Sequence, residues 1–390
     1  MYLKDFYNRV KLDESLVRTT GFNPYYIDIE SGLDEKVVIN GNKMINLASN
    51  NYLGLATDIR VKEAAIGAIQ KYGTSLCGTP IATGYIELYK RMEAKLSNFI
   101  GMEETIILPS CYQANNGLFN SVAGREDLII IDRFAHSSLI QGIKAVGCKI
   151  RPFLHNNLEH LAGILQRSSG YRQVFVVTES VFSTDGSIAP FKEIVDLCEK
   201  YNAMPVIDDS HGLGVLGASG KGILEAQKID DYQGLYTASL GKGLANSGGI
   251  ISGDKRVIKY LKYYCPHLVY STALTPPVLA GIEAVLEIIH LEFKALIKRL
   301  DLYKQEIFTG LHEAGFAVVS NNTPINSIKT GSKENTFATA KRLFANGILT
   351  TPFIEPSVPV NEGRVRLIAG ANLSQDTIEE AVAVIKRIGC

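Results

Sequence analysis

Two short segments carry side chains whose types can do chemistry together. The first, VIDDSHGLGVLG (206–217), ends an apolar run with two carboxylates and then a histidine. The second, TASLGKGLANSGG (237–249), holds Lys242 between two glycines. A carboxylate, an imidazole and a lysine amine in this order meet the needs of pyridoxal phosphate (PLP) chemistry. The lysine forms an imine with the cofactor aldehyde, and the carboxylate keeps the pyridine nitrogen protonated so that the ring accepts electrons. The competing reading of Asp208-Asp209 is an exposed turn or helix cap. The apolar run before them argues against it, because it buries at least one carboxylate, and a buried carboxylate needs a partner. Asp209 stays outside the expected site. The competing reading of Lys242 is a solvated surface lysine. The apolar strand up to Ser239 and the glycine-rich exit argue against that.

These residues need elements to hold them. From about residue 60 to 250, short apolar, β-branched runs alternate with helical patterns. Strands are expected at 104–110, 127–132, 148–153, 173–180, 204–210 and 234–239, with a clear helix at 194–202. This alternation predicts an α/β fold with a mostly parallel sheet covered on both faces. Ligands of such sheets bind beyond the carboxyl ends of the strands. Ser110, His136, Glu179, Ser183, Asp208, His211 and Ser239 all fall at or just after expected strand ends. Asn-Gly at 40–41 predicts a hairpin over 36–47. Residues 1–20 read as an amphipathic helix. A long helix is expected over 278–315, after Pro276-Pro277. Strands near 316–320, 325–329 and 364–369 and a last helix over 376–389 complete the chain. The expected division is an arm over 1–55, a large cofactor-binding domain over 56–285 and a smaller α+β domain over 286–390.

Composition narrows the function classes. The 390 residues carry 40 Lys+Arg against 40 Asp+Glu, so no net basic field points to nucleic acid or an anionic membrane. No apolar stretch reaches a membrane-spanning length, and the N-terminus has no apolar signal core. The 6 cysteines are scattered singly, with no metal-ligand spacing. No metal and a cytoplasmic location are expected.

The motifs SNNYLGLA (49–56), DRFAHSSLIQG (132–142), TESVFSTDGSIAP (178–190), DDSHGLGVLG (208–217), SLGKG (239–243), YSTALTPP (270–277) and RVRL (364–367) stand in order along the chain. With them the chain resembles the α-oxoamine synthases, fold-type I PLP enzymes that include 8-amino-7-oxononanoate synthase and serine palmitoyltransferase. The resemblance implies PLP as cofactor and Lys242 as the Schiff-base lysine. Asp208 matches the carboxylate at the pyridine nitrogen. His211 and Ser183 match the groups on the phenolic oxygen, and His136 the imidazole stacked on the ring. Cys111, Tyr112 and Ser239 match phosphate contacts. Ser271 and Thr272 match donors from a neighbouring subunit, which implies a homodimer with a shared site. Asn50 and Arg366 match the groups that take the amino acid's carboxylate, and Glu179 an acidic residue near the substrate.

The implied reaction condenses a small α-amino acid (glycine, alanine or serine) with an acyl thioester, on CoA or a carrier protein. It releases CO2 and thiol and leaves an α-aminoketone. The alternatives are a fold-type I aminotransferase or lyase that needs no thioester, and a non-catalytic PLP-binding regulator. The chain departs from the family in the segment CGTPIATGYIELYKRME (77–93), where Pro80 and Tyr89 replace an arginine and a histidine on the acyl-substrate side. A carrier-bound acyl group is one reading of that change.

Overall fold

The computed structural model describes residues 2–10, 14–319 and 322–389. Asn40 and Gly41 turn the chain between β1 (Lys36–Ile39) and β2 (Asn42–Asn46), with φ of 50° and 71°. Positive φ at both positions is what a tight hairpin asks of Asn-Gly.

The central sheet contains β3 (Glu104–Leu108), β4 (Leu128–Asp132), β5 (Lys149–Phe153), β6 (Val174–Glu179), β7 (Met204–Asp208), β8 (Leu235–Ser239) and β9 (Gly249–Gly253). Their order is β3-β9-β8-β7-β6-β4-β5. The strands from β5 across to β8 are parallel, and β9 runs antiparallel to both β3 and β8. The mostly parallel sheet expected from the alternating pattern is present. The antiparallel β9 was not foreseen, because its five residues begin and end with glycine and the run of strand-forming residues is short. Every residue of β4 and of β6 is buried. Ile129 and Ile131 enter one apolar cluster, while Leu128 and Ile130 enter another. Successive side chains thus feed cores on opposite faces, as a strand covered on both sides must.

Pro276 and Pro277 occupy the first turn of helix Pro276–Glu313, where their missing N–H groups cost nothing. This helix passes through residue 285 without a break. Beyond it, β10 (Ile325–Gly331), β11 (Ile348–Leu349), β12 (Thr351–Phe353) and β13 (Gly363–Ile368) follow. One sheet has the order β10-β13-β12, while β11 pairs in parallel with β2 and so ties the N-terminal hairpin to the C-terminal part. In place of a strand at 316–320, Val318 makes a single bridge to Ile328; residue 320 lies outside the described residues. The amphipathic start is two helices, Tyr2–Arg9 and Ser15–Thr20; residues 1 and 11–13 of that reading lie outside the described residues. The last helix is Gln375–Gly389. Among the described residues, no helix is long and apolar enough to cross a membrane.

Asp132, Glu179, Asp208 and Ser239 are the last residues of β4, β6, β7 and β8. Glu179 stands opposite Asp208, and Asp208 opposite Thr237. The polar ends of neighbouring strands therefore meet along one edge, where ligands of such sheets bind.

Candidate active site

A cavity of about 350 Å³ opens at this edge. Lys242, Asp208, His136, Glu179, Cys111, Tyr112 and Ser239 line it. Asp208 is buried at its base and is held by two donors. Asn115 Nδ2 donates to Oδ2 at 2.7 Å, and the Ser210 amide to Oδ1 at 3.0 Å. Asn115 is itself fixed, since Thr237 Oγ1 donates to its Oδ1 at 2.7 Å. Asp209 turns elsewhere and accepts from Tyr236 OH and the Ile223 amide, each at 2.9 Å. Burial pushes the Asp209 carboxyl up to about 7.

Lys242 sits on a loop packed against the turn that follows Asp208. A Cβ on Gly243 would lie 2.2 Å from the Leu213 carbonyl oxygen. Room at Gly243 therefore serves backbone packing. Burial holds the Lys242 amine below the usual lysine value, against the opposing pull of Asp208, Cys111 and Glu179. An amine so held is more often unprotonated, hence nucleophilic and basic. Burial pushes Glu179 well up, and Asp208 adds to the effect.

His136 caps helix Ser137–Val146 and also faces the cavity. Its Nδ1 accepts from the Ser138 amide at 3.2 Å, and its own amide donates to Glu179 Oε1 at 2.5 Å. The capping and cavity-lining readings of this histidine both hold. His211 is buried, with Nδ1 2.6 Å from Tyr52 OH. Burial pushes its pKa well down, and the charges of Lys242 and Arg366 push it the same way. All of these effects favour the neutral form of the imidazole.

Helix Cys111–Val122 starts at the cavity with Ser110 as its cap, Oγ accepting from the Gln113 amide at 3.1 Å. Amides of a first helical turn have no partners within the helix and suit an anion. Ser239 Oγ accepts from the Gly241 amide at 3.1 Å, and the Ser239 amide donates to Ser210 Oγ at 2.9 Å. On β13, Arg366 is buried, its Nη1 donating to the Ser183 carbonyl at 2.9 Å. Among the described residues its Nε has no partner, and neither does the buried Oδ1 of Asn50. Such unused buried polar atoms ask for a ligand. A buried carboxylate, a lysine amine of lowered pKa, a helix start and an unspent guanidinium form a donor set that fits PLP and an amino acid.

Of the expected residues, Asn50, Ser183, His211, Ser271, Thr272 and Arg366 do not line the Lys242 cavity. Ser183 lines an adjoining cavity of about 650 Å³, which shares His136. Ser271 Oγ accepts from Gln113 Nε2 of the same chain at 3.2 Å, and Thr272 is exposed. Tyr89 stands where the resemblance puts a histidine of the acyl-substrate side. It is fully buried, it lines neither cavity, and its hydroxyl takes the Leu274 amide at 3.0 Å. Its hydroxyl thereby anchors the 271–274 segment. Tyr52 and Asn115 were missed. The signals were a tyrosine inside SNNYLGLA and an amide on the inner face of the helix after β3.

The aminotransferase class I and II family matches residues 42–385. A Bacillus cereus protein carrying the name 8-amino-7-oxononanoate synthase is 36% identical over 354 residues, covering 89% of this chain and 87% of its own length. The serine palmitoyltransferase of Sphingobacterium spiritivorum is 32% identical over 375 residues, covering 95% and 93%. Among solved structures, the serine palmitoyltransferase of Sphingomonas wittichii superposes with a TM-score of 0.92 at 26% identity, covering 96% and 95%.

The chain belongs to the class I and II aminotransferase family, in its α-oxoamine synthase group. This α-oxoamine synthase is a PLP-dependent acyltransferase with the fold-type I architecture. Its cofactor and fold are those implied by the motif order.

Proposed function

We propose that this α-oxoamine synthase joins glycine, alanine or serine to an acyl thioester, with loss of CO2, to give an α-aminoketone and free thiol. The observation that carries the reading is one cavity lined by both Lys242 and the buried Asp208, together with the buried Arg366, whose Nε has no partner among the described residues. The name of the Sphingobacterium relative, a serine palmitoyltransferase, supports serine as one candidate.

Bound PLP supplies an electron sink for the pair left at the substrate's Cα. Lys242 is the residue that would tether it, and Asp208 would hold a proton on its pyridine nitrogen. Neutral His211, oriented by Tyr52, would donate to the phenolic oxygen. Ser183 would share that oxygen. Cys111, Tyr112 and Ser239 would meet the phosphate at the helix start. Arg366 and Asn50 would take the amino acid's carboxylate, a role suited to a fork of donors. Lys242, free in the presence of the amino acid, would take the Cα proton. Cα then attacks the thioester carbonyl, the thiolate leaves and takes a proton, and the carboxylate departs as CO2, its electron pair staying on Cα and taking up a proton. His136 would face the carbonyl oxygen as negative charge develops on it. Glu179 would keep His136 in place through its amide.

A homodimer is part of the proposal. Tyr270 is 85% exposed and Tyr112 49% exposed, beside Ser271 and the cavity, and such apolar exposure suits a second copy. Mixing a Lys242→Ala chain with a Ser271→Ala/Thr272→Ala chain tests it. Activity recovered in the mixture supports a site built from two chains; none recovered counts against it.

The reaction is tested by incubating the holoenzyme with each amino acid and matched acyl-CoA and acyl-carrier thioesters. Release of CO2 and thiol supports the reading, and the preferred thioester identifies the acyl carrier. A keto acid or aldehyde with no thiol release would overturn it.

A further inference from the structure

The larger cavity is walled in part by Phe134, His136, Thr184, Phe353 and Arg364. Behind that wall runs a line of polar groups to which no role above applies. Asp132, at the end of β4, is buried, and its carboxylate accepts from the amides of Phe134 at 2.8 Å and Asn156 at 2.9 Å. His155 Nδ1 lies 3.0 Å from Asp132 Oδ1, and its Nε2 lies 3.0 Å from Ser187 Oγ. Ser187 Oγ donates to Asp185 Oδ1 at 2.7 Å. Asp185 Oδ2 lies 3.0 Å from Arg364 Nη1. The line thus starts at the loop that bears Phe134 and ends on an arginine of the opposite wall.

The same imidazole supports the wall by stacking. The Phe134 ring lies 4.7 Å from His155, and Phe182 meets the imidazole edge-on at 4.4 Å. The Arg133 guanidinium covers Phe134 at 4.8 Å. Removing the two hydrogen bonds of His155 would weaken the support of Phe134, whose amide stays on Asp132, and of Arg364 through Asp185, which still accepts from the Ser187 amide at 3.0 Å. The Lys242 cavity has its own supports in Asn115, Ser210 and Tyr52, none of which belongs to this line.

We propose that His155 is a positioning residue for acyl-thioester binding, holding Phe134 directly and Arg364 through Ser187 and Asp185 in the wall of the larger cavity. The proposal rests on the reading that a thioester enters beside His136, the residue the two cavities share.

The experiment measures binding to the holoenzyme of S-oxoalkyl-CoA analogues, in which a methylene separates sulfur from carbonyl so that no thiol can leave. The analogue that wild type binds best is then titrated into His155→Phe, Ser187→Ala and the double variant. Each single change is expected to weaken it about fivefold to tenfold, with the double variant no worse than the weaker single, as two links of one chain require. Amino-acid affinity, read from PLP absorbance, and PLP retention are expected to stay unchanged. A loss of overall folding would lower all three together. Unchanged analogue affinity, additive losses, parallel loss of amino-acid binding, or no analogue binding by wild type would each overturn the proposal. These binding results are independent of turnover, so a failure to release CO2 from true substrates sinks the reaction and leaves the positioning result readable.

Discussion

The carbonyl oxygen of Leu213 lies 2.2 Å from the point where a side chain on Gly243 would begin. The turn after Asp208 and the loop of Lys242 are thus pressed together at backbone level. Gly214, with φ of 80°, makes the other side of the contact. Gly243→Ala is expected to push the two segments apart at a cost of about 1–3 kcal/mol, the usual range for overpacking. Thermal melts and PLP retention on dialysis check this. A variant with unchanged melting and retention would show that the contact is soft.

Lys242→Ala is expected to abolish turnover, and borohydride is expected no longer to fix the cofactor to the chain. Peptide mass analysis reads the second effect. Residual turnover at more than a trace would exclude Lys242 as the base.

Asp208→Asn is expected to lower kcat by about 100-fold or more, the scale of a lost proton-holding group. Asn115 can still donate to the new amide oxygen, so the fold is expected to survive. Steady-state kinetics beside a melting curve separates the two. A near-normal kcat would remove Asp208 from the pyridine nitrogen.

Arg366→Lys is expected to raise KM for the amino acid about tenfold to 100-fold, because a point charge replaces a fork of donors. KM for the thioester is expected to stay nearly constant. Equal rises in both constants would place Arg366 outside amino-acid recognition.

Asp209 gives a pH prediction. Burial raises its folded-state pKa to about 7 from the ordinary 3.8. Between those values the folded state binds the proton more tightly than the unfolded one. The stabilising contribution is full below the unfolded value and is lost as pH rises through about 7. Asparagine does not titrate, so Asp209→Asn is expected to gain in melting temperature relative to wild type between pH 5 and pH 8. Melts at those two pH values decide it, and a constant difference would place the carboxylate's pKa low.

The sheet and the chemical edge were legible because strand ends and helix starts carry local signals. Val206 to Asp208 reads as a buried strand that runs into a carboxylate, and the structure has it so. Contacts between segments distant in sequence were not legible. Nothing in residues 49–56 says that Tyr52 reaches His211, 159 positions away. The partner of Tyr89 was hidden for the same reason: Leu274 is 185 positions on. β9 was invisible because neighbouring strands on both sides supply the stability that its glycine-framed sequence lacks.

The antiparallel β9 has a mechanical consequence. The chain leaves the sheet at Ser239, passes Lys242 and re-enters at Gly249 in the adjacent lane, where Ser239 and Gly249 are paired. Both feet of the lysine's loop therefore stand inside the sheet, held side by side. The backbone that carries Lys242 is thus anchored at both ends, and each reactant must come to it in turn.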